Sequence, residues 1–306
     1  MEIKASSGLI AMRNACSICV VACVIALRLF TFGQSPPQAT AAASQNATGY
    51  RGIRLPVRAK THEEYVAYQA AVVKLPNLDD AAKAADDFAV KFPDSNLRVL
   101  LYQKLMKACQ KAGDSDKTLD TGLKVLAIDK DDPEALVGVA EIQEEHTTPM
   151  DLDRDQRMQQ AMTNARHALQ TIDTDLTIPA NTKPEQMEPY RKYLRAAALA
   201  IIGTLQYQQR QYAEAEATLR NSLQADGDNP DPVVLVRLAL VLDQERKYDD
   251  ALQQVNRAVE ITKEDTEVGK VARTEQQRLT LLTVSTTTPA PQDNSTPAQD
   301  SAQPAH

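Results

Sequence analysis

From Thr61 to Leu282 apolar residues recur at intervals of three and four almost without a break, the spacing of one face of an α-helix. Capping and breaking residues divide this stretch into elements. THEEYVAYQAAVVKL reads as a helix with Thr61 as N-cap and Glu64 three residues on, a capping box. NLDDAAKAADDFAVKFPDS predicts a second helix ending near Pro93. A third, capped by Asp94 or Ser95, stops at Gly113, a C-terminal signal. DSDKTLDTGLKVLAID predicts a fourth, although Gly122 weakens it by up to about 1 kcal/mol relative to Ala. Asp132-Pro133-Glu134 supplies a cap, a proline at the first helical position and a carboxylate in the first turn. Asp231-Pro232 repeats that signal.

The pattern also repeats at longer range. RQYAEAEATLRNSL (Arg210–Leu223) and RKYDDALQQVNRAV (Arg246–Val259) place Tyr212 against Tyr248, Ala215 against Ala251, Leu219 against Val255 and Leu223 against Val259. Each pair lies 36 residues apart, close to the period of about 34 expected of helix–turn–helix repeats. Ala196 to Asp231 forms one unit, and Pro232 begins the next. In the first, Leu199, Ile202 and Gly203 face Ala215, Leu219 and Ser222; Leu235, Leu238 and Ala239 face Ala251, Val255 and Ala258 in the second. Gly203 is expected to admit the partner helix at Ala215, because small residues are needed where two helices cross closely.

On these residues the chain resembles the tetratricopeptide repeat family over about Asp94 to Thr262. Ile202-Gly203 and Ala215 followed by Leu219 fit that family's pattern of Leu-Gly, then Ala-x3-Phe, with Leu for Phe. Val99 to Asp132 keeps Tyr102 and Leu105 but has Thr118 and Gly122 where the family has Ala and Phe. The unit from Pro133 carries a lengthened turn, EEHTTPMDLD, and TIDTDLTIPANTKPEQ is a second long connection. The resemblance implies an all-α fold of antiparallel helix pairs stacked in an irregular right-handed solenoid. FAVKFPDS (Phe88–Ser95) also looks like repeats of bacterial envelope assembly factors of the same family.

Composition agrees with helix. The chain has Trp 0, aromatic residues 4% and 10 Gly among 306 residues, poor material for sheets. Its net charge of −7 and the lack of a strongly basic run exclude nucleic acid as a general partner. Residues 1–33 differ from the rest. Lys4 and Arg13 precede the apolar run Ala15–Leu27, and a small-residue zone follows Arg28, as in a secretory signal. Retention as an anchor and lipid attachment at Cys23, after Val20-Val21-Ala22, are the alternatives; membrane contact is expected only in those two forms. Cys16, Cys19 and Cys23 lie in that segment, so a processed chain keeps Cys109 alone. Residues 34–60 read as a flexible linker, 61–282 as the helical repeat domain, and 283–306 as a disordered Thr/Pro/Gln-rich tail.

Catalytic chemistry finds little support, and no cofactor or metal is expected. His62, His146, His167 and His306 form no metal-binding motif, and no phosphate or dinucleotide fingerprint occurs. Cys109 stands where the family usually has Tyr, a packing position. DLDRDQ (Asp151–Gln156) starts like a calcium loop, but Gln156 replaces the required Gly and Met162 the final Glu. What remains is the groove that the resemblance implies. Carried onto this sequence, its inner surface includes Gln103, Lys107 and Lys111, then Glu134, Val137, Glu141, Glu144 and Glu145. Ala197, Ala200, Thr204, Tyr207 and Gln208 follow, then Val233, Val236, Leu240, Asp243 and Gln244. The later units offer Ala, Thr, Val and Leu where the family's carboxylate clamp needs Lys and Asn, so a terminal carboxylate is not expected as the main handle. The expectation is a non-enzymatic scaffold that binds a protein or peptide and is exported to the periplasm or bacterial cell envelope. The alternative is a chaperone-like or assembly factor for envelope clients.

Overall fold

The computed structural model describes residues 57–287 apart from Pro149, Ala180, Asn181 and Asp228. The expected leader at 1–33, most of the linker 34–60 and the tail beyond Thr287 lie outside the described residues. Within them the chain is all-helical: eleven α-helices and one 3-10 turn, with no β-strand. The helices are α1 (His62–Val72), α2 (Leu78–Lys91), α3 (Leu97–Ala112), α4 (Ser115–Ile128), α5 (Pro133–Glu145) and α6 (Arg154–Thr171). After the 3-10 turn Pro184–Met187 come α7 (Glu188–Gln208), α8 (Tyr212–Asp226), α9 (Pro232–Gln244), α10 (Tyr248–Ile261) and α11 (Glu267–Thr287). Successive helices pair antiparallel through short turns, and each pair stacks on the next. The last helix runs to Thr287, past the domain end expected at Leu282.

The local signals explain most boundaries. Thr61 caps α1 through its side chain, and the Glu64 carboxylate accepts from the backbone nitrogens of Lys60 (2.5 Å) and Thr61 (3.3 Å). Glu64 also accepts from the Ser95 hydroxyl, whose oxygen in turn accepts from Leu97 N at 3.0 Å. One buried carboxylate thus ties the start of α1 to the start of α3. Asn96 occupies the N-cap position of α3 without a side-chain bond, and Ser95 does the capping in its place. Asp132 and Asp231 cap α5 and α9 as their sequences suggest, accepting at 2.8 Å from Ala135 N and Val233 N.

Three leading helices stop in the same way. At the end of α3, Gly113 N donates to Gln110 O and Asp114 N to Cys109 O; Gly113 has φ +74°. The pattern recurs at the end of α7 with Arg210 and Gln211, and of α9 with Arg246 and Lys247. This is the Schellman motif, whose left-handed residue is usually glycine. Arg210 and Arg246 adopt it at φ +62° and +61°.

The core runs as clusters along the stack. Tyr68, Phe88, Leu101, Leu105, Met106 and Cys109 fill the layer between α1 and α4. Leu136, Met158, Met162, Ile201 and Leu205 fill the middle. Ala215, Leu219, Leu238, Leu242, Val255 and Leu279 fill the C-terminal part. Burying each large apolar side chain stabilises by roughly 1.5–3 kcal/mol. The long α6–α7 connection is part of this core, because Ile172, Leu176, Ile178 and Met187 are buried in the middle cluster. Gly122 is needed where α4 meets α5: a Cβ there would lie 2.6 Å from Val139 Cγ2.

Candidate interaction surface

The leading helices α3, α5, α7, α9 and α11 carry the residues expected to line a groove. Their polar side chains turn out to bond largely to one another. At the α3–α5 joint, Gln103 Nε2 donates to the Asp132 carboxylate, and Lys107 Nζ reaches Glu134 Oε1 at 2.8 Å. Lys107 Nζ also lies 5.2 Å from the centre of the Tyr190 ring on α7, within cation–π range. Tyr190 stacks on Tyr193 with centroids 6.1 Å apart, and burial, with the Glu134 carboxylate beside it, holds its hydroxyl pKa well above the usual tyrosine value. Asp132 is fully buried, and burial, with the neighbouring Glu134 carboxylate, pushes its pKa up to about 7. A buried carboxylate is costly when charged, and the cap bond and Gln103 only partly offset that cost.

A second joint spans three helices. Glu144 at the end of α5 accepts from Gln208 Nε2 on α7 at 3.3 Å and from Arg237 Nη2 on α9 at 3.5 Å. Both charged side chains are out of water, Glu144 at 3% exposure and Arg237 at 11%. Farther along, Asp243 of α9 pairs with Arg278 of α11 at 2.9 Å, and Arg278 Nε reaches Glu275 at 2.8 Å. These contacts link α5 to both α7 and α9, and α9 to α11.

The structure divides the expected lining residues into two sets. Gln103, Glu134, Val137, Glu141, Glu144, Ala197, Ala200, Thr204, Val233 and Val236 are buried. Val236 is fully buried and packs in a cluster with Val268 of α11, and the Thr204 hydroxyl donates to Ala200 O at 2.8 Å within its own helix. The extra helix α11 and the close approach of α5, α7 and α9 take these positions out of a solvent-facing surface. Lys107, Lys111 and Gln244 are exposed, while Glu145, Tyr207, Gln208, Leu240 and Asp243 are half-buried. This smaller set is what stays in reach of solvent.

Arg237, Arg278, Asp132 and Tyr190 complete the joints, and sequence reasoning did not place them there. Arg237 carried a signal: it is the lone charge in the apolar run VVLVRLALVL, and a charge among buried positions needs a partner. Asp132 was legible as a cap but not as a joint, and nothing local marked Arg278 or Tyr190. Cys109 is fully buried, and burial raises its thiol pKa, which disfavours the nucleophilic thiolate. Asp151 and Asp153 serve their own turn. Asp151 accepts from Thr148 N at 2.8 Å, and Asp153 pairs with Arg157 at 2.6 Å.

The stacked pairs, the Schellman stops and the small-residue crossings recur in α7 to α10, where comparison with known families gives a match. Residues 206–273 match the tetratricopeptide repeat. The matched span runs from the last turn of α7 into α11. No curated protein sequence matches the chain. Among solved structures, the chain is similar to a thermophilic TPR protein, TTC0263 of Thermus thermophilus. That alignment has 16% identity over 71% of this chain and 99% of that one, with a TM-score of 0.43. It is also similar to yeast Tom70, at 16% identity over 72% of this chain and 40% of Tom70, TM-score 0.47. A third is PilW, a type IV pilus biogenesis factor, at 17% identity over 74% and 94%, TM-score 0.44. At these identities the likeness concerns the fold.

Proposed function

We propose that the chain is a non-enzymatic scaffold that binds a protein or peptide along the inner side of its stacked helix pairs. The observation that carries this reading is the combination of a rigid inner wall with an accessible polar rim. Charge pairs linking α3 to α5, α5 to α9 and α9 to α11 hold the wall, and Lys111, Leu240 and Gln244 remain available beside them. Preorganised surfaces of this kind lose little side-chain entropy when a partner docks. The tetratricopeptide match at residues 206–273 supports the same reading. The apolar run Ala15–Leu27 behind Lys4 and Arg13 supports a location outside the cytoplasm, in the cell envelope.

Affinity capture with the chain from residue 34 tests the proposal. One stoichiometric partner, lost when Lys111 and Gln244 are changed together to Glu, is the expected result. A set of unrelated unfolded proteins would instead favour the chaperone-like reading, and no capture at all would count against both. Export is checked by mass spectrometry of the protein from its native host, where an N-terminus between about Gly33 and Ser44 is expected.

A further inference from the structure

Helix α3, LRVLLYQKLMKACQKA, carries Arg98, Lys104, Lys107 and Lys111 and no Asp or Glu, in a chain whose net charge is −7. The three lysines follow one another at intervals of three and four, so they share one helix face. All three are exposed. Lys107 is held between Glu134 and the Tyr190 ring. Lys104 and Lys111 reach no carboxylate at ion-pair distance among the described residues. Helix α1 is in register with α3: Tyr68 and Tyr102, like Ala71 and Leu105, are 34 residues apart (102 − 68 = 34) and share the N-terminal core cluster. The same offset makes Val66, Ala70 and Val73 the counterparts of Leu100, Lys104 and Lys107, and stacked repeats turn equivalent positions to the same side. Val66 and Val73 are exposed by 51% and 74%, with polar Gln69 exposed between them. On α5 the offset leads to Glu134 and Glu141, both buried, so the accessible face ends at α3.

We propose that this α1–α3 face docks an acidic, amphipathic helix of a partner protein. Its side-chain carboxylates meet Lys104 and Lys111, and its apolar residues meet Val66 and Val73. The inference rests on the scaffold reading above and narrows it to the N-terminal helix pairs. Charge complementarity selects the occupant: a helix face with lysines and no carboxylate, on an acidic protein, attracts carboxylates and repels cations. Spacing selects its form. Lys104 and Lys111 are about 10 Å apart along the axis, and a helix lying alongside repeats carboxylates at that same interval. Exposed Asp94, just before α3, and exposed Asp116, just after it, bound the basic face. A phosphate chain or an anionic membrane needs a longer run of cations than this.

The test uses the full chain and a labelled synthetic helical peptide with Glu at i, i+3 and i+7 and Leu on the adjoining face. Both peptide ends are blocked, so no terminal carboxylate is present. In fluorescence anisotropy the peptide is expected to bind the parent, and to bind the double variant Lys104→Glu, Lys111→Glu about tenfold or more weakly. Added salt is expected to weaken parent binding. A second peptide with Lys in place of each Glu is expected to prefer the variant. No binding of the acidic peptide, or equal binding to parent and variant, overturns the proposal. Phosphatidylglycerol vesicles that bind the parent but not the variant, where the peptide does not discriminate, overturn it in favour of a membrane. Should the variant melt below the parent, Lys104→Gln with Lys111→Gln decides by the same weakening or its absence. A natural partner captured equally by parent and Lys104→Glu, Lys111→Glu variant leaves the scaffold reading standing and removes this inference.

Discussion

Gly203 of α7 lies flush against Leu219 of α8. A Cβ built on the glycine would sit 2.7 Å from Leu219 Cγ and 3.4 Å from the Leu219 backbone nitrogen. Leu219 is itself fully buried, so it has little room to retreat. The close approach anticipated at Ala215 is thus made one helical turn later.

Gly203→Leu is therefore expected to destabilise by roughly 1–3 kcal/mol through overpacking. Gly203→Ala is the sharper measurement. Helix propensity alone favours Ala by up to about 1 kcal/mol, and the contact with Leu219 is expected to reverse that sign. Gln209→Leu, at the exposed end of α7, is expected to change stability by less than about 0.5 kcal/mol. Denaturant melts of the three variants check the ordering.

Arg210 and Arg246 hold left-handed backbone at positions where Gly113 does the same work. A side chain with a Cβ is strained there, by roughly 1–2 kcal/mol. Arg210→Gly and Arg246→Gly are each expected to stabilise by about 0.5–1 kcal/mol, after the greater chain entropy of unfolded glycine is subtracted. Gly113→Ala is expected to destabilise by a similar amount. Opposite signs in thermal melts, at equivalent places in the fold, are the result to look for.

Asp132 makes stability depend on pH in a definite direction. Its folded pKa of about 7 lies above the ordinary carboxylate value. Its contribution is therefore fully present below about pH 4 and is lost as pH rises through about 7. Asp132→Asn keeps an oxygen for Ala135 N and removes the ionisation; Gln103 can turn its amide to match. The variant is expected to equal the parent near pH 4 and to exceed it by about 1–3 kcal/mol at pH 8. Denaturant melts across that range measure the difference.

Glu144 and Arg237 are expected to matter more when one is removed than when both are. Arg237→Ala leaves a buried carboxylate with Gln208 as its remaining described partner, and is expected to cost roughly 3–5 kcal/mol. Glu144→Gln combined with Arg237→Met replaces the charges at similar volume and is expected to recover most of that loss. A double-mutant cycle gives the coupling directly.

The sequence by itself determined the helices and their order. Thr61 with Glu64, Asp132-Pro133, Gly113 and Asp231-Pro232 are signals read within one turn of chain, and the structure uses each of them where it was expected. The repeat of Ala215 and Leu219 at Ala251 and Val255 likewise fixed which faces are buried, because helical periodicity is a local property. The tertiary structure decided what happens between helices. Ser95 caps α3 while also holding Glu64 of α1. Val236 disappears under Val268 of a helix that begins more than thirty residues later. Glu144 finds Arg237 across 93 positions of sequence. Whether a polar residue on a leading helix faces a partner or its own neighbours depends on the distance between stacked helices. That distance is set by side-chain volumes on several elements at once, so no single segment of the chain encodes it.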